Sequence, residues 1–304
     1  AAHDAGISDV ISVLGHMSEK VAPLVESDTQ IVIQTQQLGT GDAVNAAREA
    51  MTCEDGSIAD GSLVVLSGDC PLITPETISA LVAKREQTNA AVVVLTMKMD
   101  DPFGYGRIVR EGEGDSVARI VEQKDATPEE ASINECNAGF YCFDAPALFD
   151  ALSRITNDNA QGEYYLTDVI GLAARAGARI ATVHPEHVYE VEGVNSKRQL
   201  AQLERTWQLA QAYALLDAGV TLVDPARIDV RGELVCSQDV EIDVNCVFEG
   251  KVILEEGVRV GANCVIKDAV VRAHTEVLPF CHIDGADIGC ASQIGPYSRL
   301  RPGA

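Results

Sequence analysis

The chain has 304 residues, 46% of them apolar and 23% charged, which suits about two domains with cores of their own and excludes global disorder. Its 23 basic against 46 acidic residues leave a formal charge of −23, and so acidic a surface argues against a nucleic-acid partner. No apolar run approaches the roughly 18 residues a membrane span requires, and nine scattered cysteines without a CxxC pair read as free thiols of a reducing, cytoplasmic compartment.

Up to about residue 190, short apolar runs alternate with helical patterns. Residues 10–14, 31–33, 63–66 and 91–97 are β-rich, and 43–51 and 76–84 are amphipathic. Continuous apolar strands alternating with helices predict a parallel sheet covered on both faces. Thr74 followed by Pro75 marks a helix start, because a threonine oxygen caps the first turn and proline has no N–H to leave unpaired there. A second helix is announced by Ser196-x-x-Gln199, with the form of a capping box, and stopped by Gly219. Leu200, Leu203, Trp207, Ala210 and Ala214 recur at steps of three and four, predicting one apolar stripe on a semi-rigid linking helix.

From about residue 240 the period changes to six. Ile242, Phe248, Leu254, Val260 and Ile266 form one register and Val240, Cys246, Val252, Val258, Cys264 and Val270 a second; after a shift, Ile288, Ile294 and Leu300 resume the step. A six-residue step fits neither helix nor hairpin and predicts a hexapeptide parallel β-helix.

Several segments carry chemistry. Leu63-Val64-Val65-Leu66-Ser67-Gly68-Asp69 is a strand ending in an acid, and ligands of open α/β sheets bind at strand carboxyl ends. Asp69 offers a hard oxygen ligand suited to Mg²⁺, or else caps the next helix, and Gly68 permits close backbone approach. The polar loop 34–41 stands between a strand and a helix, where backbone N–H groups hold a base edge or a phosphate, or simply turn the chain. Gly104-Tyr105-Gly106-Arg107, Glu122-Gln123-Lys124-Asp125, Asn137-Ala138-Gly139 and Glu192-Gly193-Val194-Asn195 are further polar segments near strand ends. The six histidines and the cysteines lack metal-ligand spacing, and neither GxSxG nor HExxH occurs.

The ordered set QTQQLGTGDA, LSGDCPLIT, DPFGYGRIV, VEQKDAT, NECNAGFY, NAQGEYYLTDVI, VEGVN and RLRPGA resembles the bacterial bifunctional N-acetylglucosamine-1-phosphate uridyltransferase/glucosamine-1-phosphate acetyltransferase family over essentially the whole chain. The resemblance implies an α/β, Rossmann-like nucleotidyltransferase domain at 1–195, a linking helix at 196–219 and the start of a left-handed parallel β-helix at 220–304. It implies uridylyl transfer from UTP to N-acetylglucosamine 1-phosphate, acetyl transfer from acetyl-CoA to glucosamine 1-phosphate, and a homotrimer without nucleic-acid or membrane partners. Gln34, Gly39 and Thr40 match positions that hold uracil; Asp69 and Asn195 match Mg²⁺ ligands and are expected to share one ion. Ser67 and Gly68, beside the metal ligand, match substrate-binding positions, with Ser67 standing where relatives can carry an aromatic residue. Gly106, Glu122, Asn137 and Asn195 match sugar-nucleotide contacts, and Arg301 a substrate-phosphate contact of the acetyltransferase half. The family's Gly-rich nucleotide loop and its acetyltransferase histidine have no counterpart here, so the chain reads as an internal segment, expected to be catalytically incomplete in both activities. The rival readings are another sugar-1-phosphate nucleotidyltransferase and a non-catalytic scaffold of the same architecture.

Overall fold

The computed structural model describes residues 1–112 and 116–303, in two compact units, residues 1–194 and 195–304. The first unit opens with β1 (Ile11–Leu14), α1 (Ser18–Val25) and β2 (Gln30–Ile33), the two strands pairing in parallel, followed by α2 (Thr40–Ala46). Its main sheet is built from β3 (Ser62–Val65), β4 (Val92–Lys98), β5 (Arg107–Arg110), β6 (Val117–Val121), β7 (Glu135–Asp144) and β8 (Ile180–Val183). The helices α3 (Pro75–Thr88), α4 (Pro128–Ala131), α5 (Ala145–Leu152) and α6 (Asp168–Arg175) are interleaved with these strands.

Strand side chains alternate, so β4 serves two cores at once. Val92 and Val94 pack with Tyr141, Phe143, Phe149 and Ile170 on one face, while Val93, Leu95 and Met97 pack with Leu81 and Phe140 on the other. Burial on both faces explains why these strands are apolar without alternation. The sheet is mixed, not parallel as the pattern predicts: β4 and β8 run parallel, but β7 runs antiparallel to β3, β4 and β5. Thr74 caps α3, its side chain accepting from Thr77 N–H with Pro75 in the first turn.

The second unit begins with α7 (Lys197–Asp217), capped by Ser196 accepting from Gln199 N–H. The helix seats on Leu203, Gln208 and Ala212, so Leu203 is the stripe residue that is fully buried, while Leu200 and Trp207 stay 52% and 42% exposed. Gln208 decides this. Its buried amide accepts from Val230 N–H and donates to Val230 C=O, both at 2.8 Å, closing a two-bond bridge between helix and strand. Gln208→Leu would strand both backbone groups in an apolar setting, at about 1–3 kcal/mol for a buried unpaired polar group. A chemical-denaturation midpoint equal to the unmodified chain's would contradict this expectation.

After β9 (Thr221–Leu222), β10 (Ile228–Cys236), β11 (Glu241–Ile242) and β12 (Cys246–Leu254), short strands stack coil upon coil in parallel as far as Arg299–Leu300. Ile242, Phe248, Leu254, Val260 and Ile266 are all buried, as the six-residue step requires. The shift in register has a local cause. Phe248 to Leu254 takes six positions around one corner, whereas Ile266 to Val271 and Ile283 to Ile288 take five. Coils are therefore 18 and then 17 residues, as the pairs Phe248↔Ile266 and Ile266↔Ile283 show. Ala269, not Val270, consequently turns inward, correcting the second register at that point. Left-handed residues make the corners; Gly250 (φ 65°) fits one because a Cβ there would lie 1.9 Å from Asp268 Oδ1.

Candidate functional site

The mixed sheet creates an opening. β4 lines one edge of β7; on the other edge β3 pairs with residues 141–144 and β5 with Cys136. Between them, among the described residues, 138–140 meet no strand, and Asn137 N–H goes instead to Gly106 C=O at 2.8 Å. β3 runs antiparallel to β7, so its exit carries Ser67, Gly68 and Asp69 toward this opening, and Ser67 Oγ donates to Gly139 C=O at 3.3 Å. β5 starts at the same place, which puts Gly106 against Asn137.

Gly106, Glu122 and Asn137 come together there. A Cβ on Gly106 would lie 3.5 Å from both Asn137 Cβ and Glu122 Oε2. Asn137 donates to Tyr141 Oη at 2.6 Å and accepts from Gly139 N–H at 3.1 Å, which fixes its amide. Glu122 accepts from Thr167 Oγ1 at 2.9 Å. Burial pushes the Glu122 carboxyl up; the Thr167 bond opposes this, and the charges of Asp125 and Asp168 add to it. A carboxyl raised on folding stabilises fully below its ordinary 4.5, and that contribution is lost as pH rises through the folded value. Glu122→Gln is therefore expected to raise Tm at pH 7 and to flatten the fall in Tm that begins as pH rises above the ordinary 4.5. Tm followed against pH checks this; a Tm at pH 7 no higher than that of the unmodified chain would contradict it.

Arg107, buried beside Gly106, donates to Tyr105 C=O and to Gln123 Oε1, while Gln123 Oε1 also accepts from Gly104 N–H at 3.0 Å. This network ties the 104–106 loop to the turn after Glu122. Opposite, Gln34 Nε2 donates to Asp42 Oδ2 at 2.7 Å and to Gly39 C=O at 3.2 Å, rigidifying the polar loop. Gly39 (φ 114°) is required, since a Cβ would meet Tyr164 C=O at 2.6 Å. Thr40 Oγ1 accepts from Leu166 N–H at 3.0 Å, and Tyr164 N–H donates to Leu38 C=O at 2.7 Å. Segment 159–166 also reaches the turn after Glu122, through Ala160 N–H to Asp125 Oδ1 at 2.9 Å and Lys124 to Gln161. It thus bridges the 34–42 loop and the Glu122 turn.

Asp69 is exposed, and the hydrogen bond it accepts from Cys70 Sγ, at 3.7 Å, is weak. Among the described residues no Lys or Arg pairs with it, and no three His, Cys, Asp or Glu side chains gather as a metal cage. An unneutralised carboxylate with few protein neighbours fits Mg²⁺, which keeps waters and takes substrate phosphates as ligands. Tyr105 lies nearby: burial raises its phenol, and the charges of Glu192 and Asp69 add to the rise. Val194 N–H donates to Asp69 C=O at 2.9 Å. Asn195, which follows, is the first residue of the second unit, and Arg301 lies exposed beyond Arg299–Leu300 of that unit. Gly68 faces open space, with nothing within 4 Å of a built Cβ. No described helix is long and apolar enough to cross a membrane.

Residues 5–190 match the Nucleotidyl transferase family. The chain is 51% identical over 296 residues to "Bifunctional protein GlmU" of Paraburkholderia xenovorans, covering 97% of this chain and 63% of that protein. The protein of the same name from Ralstonia nicotianae is 50% identical over 295 residues, with the same coverage. That from Burkholderia multivorans is 51% identical over 298 residues, covering 98% and 64%. The chain thus spans about 63% of the length of such relatives. A crystal structure of UDP-glucose pyrophosphorylase complexed with UDP-glucose shares the fold, with TM-score 0.52 and 16% identity over 68% of this chain and 83% of that one.

Proposed function

The chain belongs to the nucleotidyl transferase family, and from that premise we propose that its first unit joins UTP and N-acetylglucosamine 1-phosphate, releasing pyrophosphate and forming UDP-N-acetylglucosamine. The observation that carries the reading is the meeting of Gly106, Glu122 and Asn137 in the fork of the sheet into which Asp69 opens. Gly106 packs tightly between them, a Cβ there meeting Ile120 Cγ2 at 3.1 Å, and Glu122 and the fixed amide of Asn137 offer an acceptor and a polar partner for the sugar's hydroxyls and acetamido group. The 34–42 loop, braced by Gln34 and by segment 159–166, supplies the base contacts that the resemblance gives to Gln34, Gly39 and Thr40. The sugar-phosphate oxygen attacks the α-phosphorus in line, so no protein nucleophile is needed and positioning carries much of the rate. Asp69, and Asn195 as the resemblance assigns, would hold Mg²⁺, which would supply charge neutralisation for two anionic reactants.

For the second unit we infer the acetyl transfer from acetyl-CoA to glucosamine 1-phosphate implied by the resemblance, with Arg301 on the substrate phosphate and three β-helices forming a trimer. The test uses the full-length protein with Mg²⁺ and each pairing of UTP, dTTP or ATP with N-acetylglucosamine 1-phosphate or glucose 1-phosphate. Pyrophosphate release strongest for UTP with N-acetylglucosamine 1-phosphate is expected. A preference for another pair would overturn the substrate assignment, and no release with any pair would favour a scaffold.

A further inference from the structure

One buried acid takes no part in the chemistry above. Glu190 is 1% exposed, and no Lys or Arg among the described residues pairs with it. It accepts three hydrogen bonds: from Thr74 Oγ1 at 2.8 Å and Thr77 Oγ1 at 2.6 Å on Oε2, and from His187 N–H at 2.8 Å on Oε1. Thr74 and Thr77 form the first turn of α3, the helix that follows the Asp69 turn. The helix N-terminus favours the negative charge, which explains how a carboxylate is held here without a cation. Glu190 belongs to the strap 187–194, whose far end is the residue before Asn195.

Two further bonds tie the same strap to the Asp69 turn. Val194 N–H donates to Asp69 C=O at 2.9 Å, and Cys70 Sγ donates to Val191 C=O at 3.5 Å. Burial, and then the charge of Asp69, push the Cys70 thiol up to about 12, so it remains a donor across the physiological range. Of these ties the Glu190 bonds are the strongest by chemistry, being charge-assisted and out of water.

We propose that Glu190 is a positioning residue for the metal site, clamping the 187–194 strap to the start of α3 so that Asp69 and the chain leading to Asn195 are delivered together. This rests on the reading of Asp69 as a metal ligand. Partners that orient a metal ligand typically change metal affinity or activity by about 10–100-fold when removed. The clamp differs from those examples in acting through backbone placement, so its signature is a change in metal affinity with little change in sugar-phosphate affinity.

The experiment titrates Mn²⁺ by electron paramagnetic resonance in the presence of UTP, using the full-length protein and its Asp69→Ala, Glu190→Ala, Glu190→Gln and Thr77→Val variants, with circular dichroism as a check on folding. Asp69→Ala should abolish protein-dependent Mn²⁺ binding. Glu190→Ala should weaken it about 10–100-fold, with sugar-phosphate KM within about twofold of the unmodified value. Glu190→Gln should recover part of the loss, because its amide oxygen can take the His187 N–H while its NH₂ meets the threonine oxygens. Thr77→Val keeps the shape without the hydroxyl and reads the clamp even where Glu190→Ala does not fold; it should weaken binding in the same direction. Unmodified Mn²⁺ affinity in Glu190→Ala and Thr77→Val, with binding lost in Asp69→Ala, would overturn the clamp alone. Unmodified affinity in all of them would overturn the metal reading and the clamp together.

Discussion

Replacing Asp69 by alanine in the full-length protein is expected to leave the fold intact while lowering kcat by roughly 10²–10³-fold, the cost of losing one preorganised electrostatic stabiliser. The carboxylate is exposed and takes a weak contact from Cys70, so its removal strands no buried partner and should not lower Tm. Gly106, Glu122 and Asn137 are held by bonds that do not involve Asp69, so KM for the sugar phosphate should change far less than kcat. Steady-state rates over a Mg²⁺ series separate the two terms. Unchanged turnover at every concentration would remove Asp69 from the reaction.

In the second unit the largest effect is expected at Phe248. It is 1% exposed, pairs along the ladder with Val230 and Ile266, and belongs to a single continuous core running through the coils. Phe248→Ala should cost about 3–5 kcal/mol, as burying a cavity of that size does when neighbours cannot collapse into it. Collapse is restricted here because each ladder fixes the spacing of the coils above and below. Denaturant unfolding read from circular dichroism gives the number, and a loss below about 1 kcal/mol would mean that the coil repacks.

Much of the second unit was legible because a six-residue step is imposed by geometry: a three-sided coil with two inward side chains per face repeats whatever the residue type. Even the break after Ile266 was visible. Its cause was not, because nothing in the string marks residues 267–270 as a corner one residue shorter than 249–253. In the first unit the strands were legible and their directions were not. A segment such as 92–97, buried on both faces, has the same apolar run whether its neighbour is parallel or antiparallel. On α7 the stripe placed Leu203 correctly and missed Gln208 and Ala212, because a hydrophobic count assigns glutamine to solvent, and Gln208 is the residue that faces Val230.

The candidate site shows the same division. Gly106, Glu122 and Asn137 carried signals as polar or glycine-bearing segments near strand ends, and the fold gathers them. Glu190 carried only a weak one, His187-x-x-Glu190, since its hydroxyl partners lie 116 and 113 positions away at Thr74 and Thr77. Long-range partnership of a buried acid leaves no local trace in a chain.

The spacing of the ladders also governs how each unit comes to be folded. From β9 onward the pairings join residues only 17 to 20 positions apart, as in Leu222↔Ile242 and Val277↔Ile294. In the first unit β3 must find β7 from Ser62 to Asp144, a separation of 82, and β4 must find β8 from Val92 to Ile180, a separation of 88. Closing a longer loop costs more entropy before any contact rewards it, and folding slows as mean contact separation grows. The coils can add one after another as the chain leaves the ribosome, each completed rung templating the next, while the sheet of the first unit waits for residue 183 before its last strand can dock. During synthesis, then, the exposed strand edges most in need of a chaperone belong to the half that is made first.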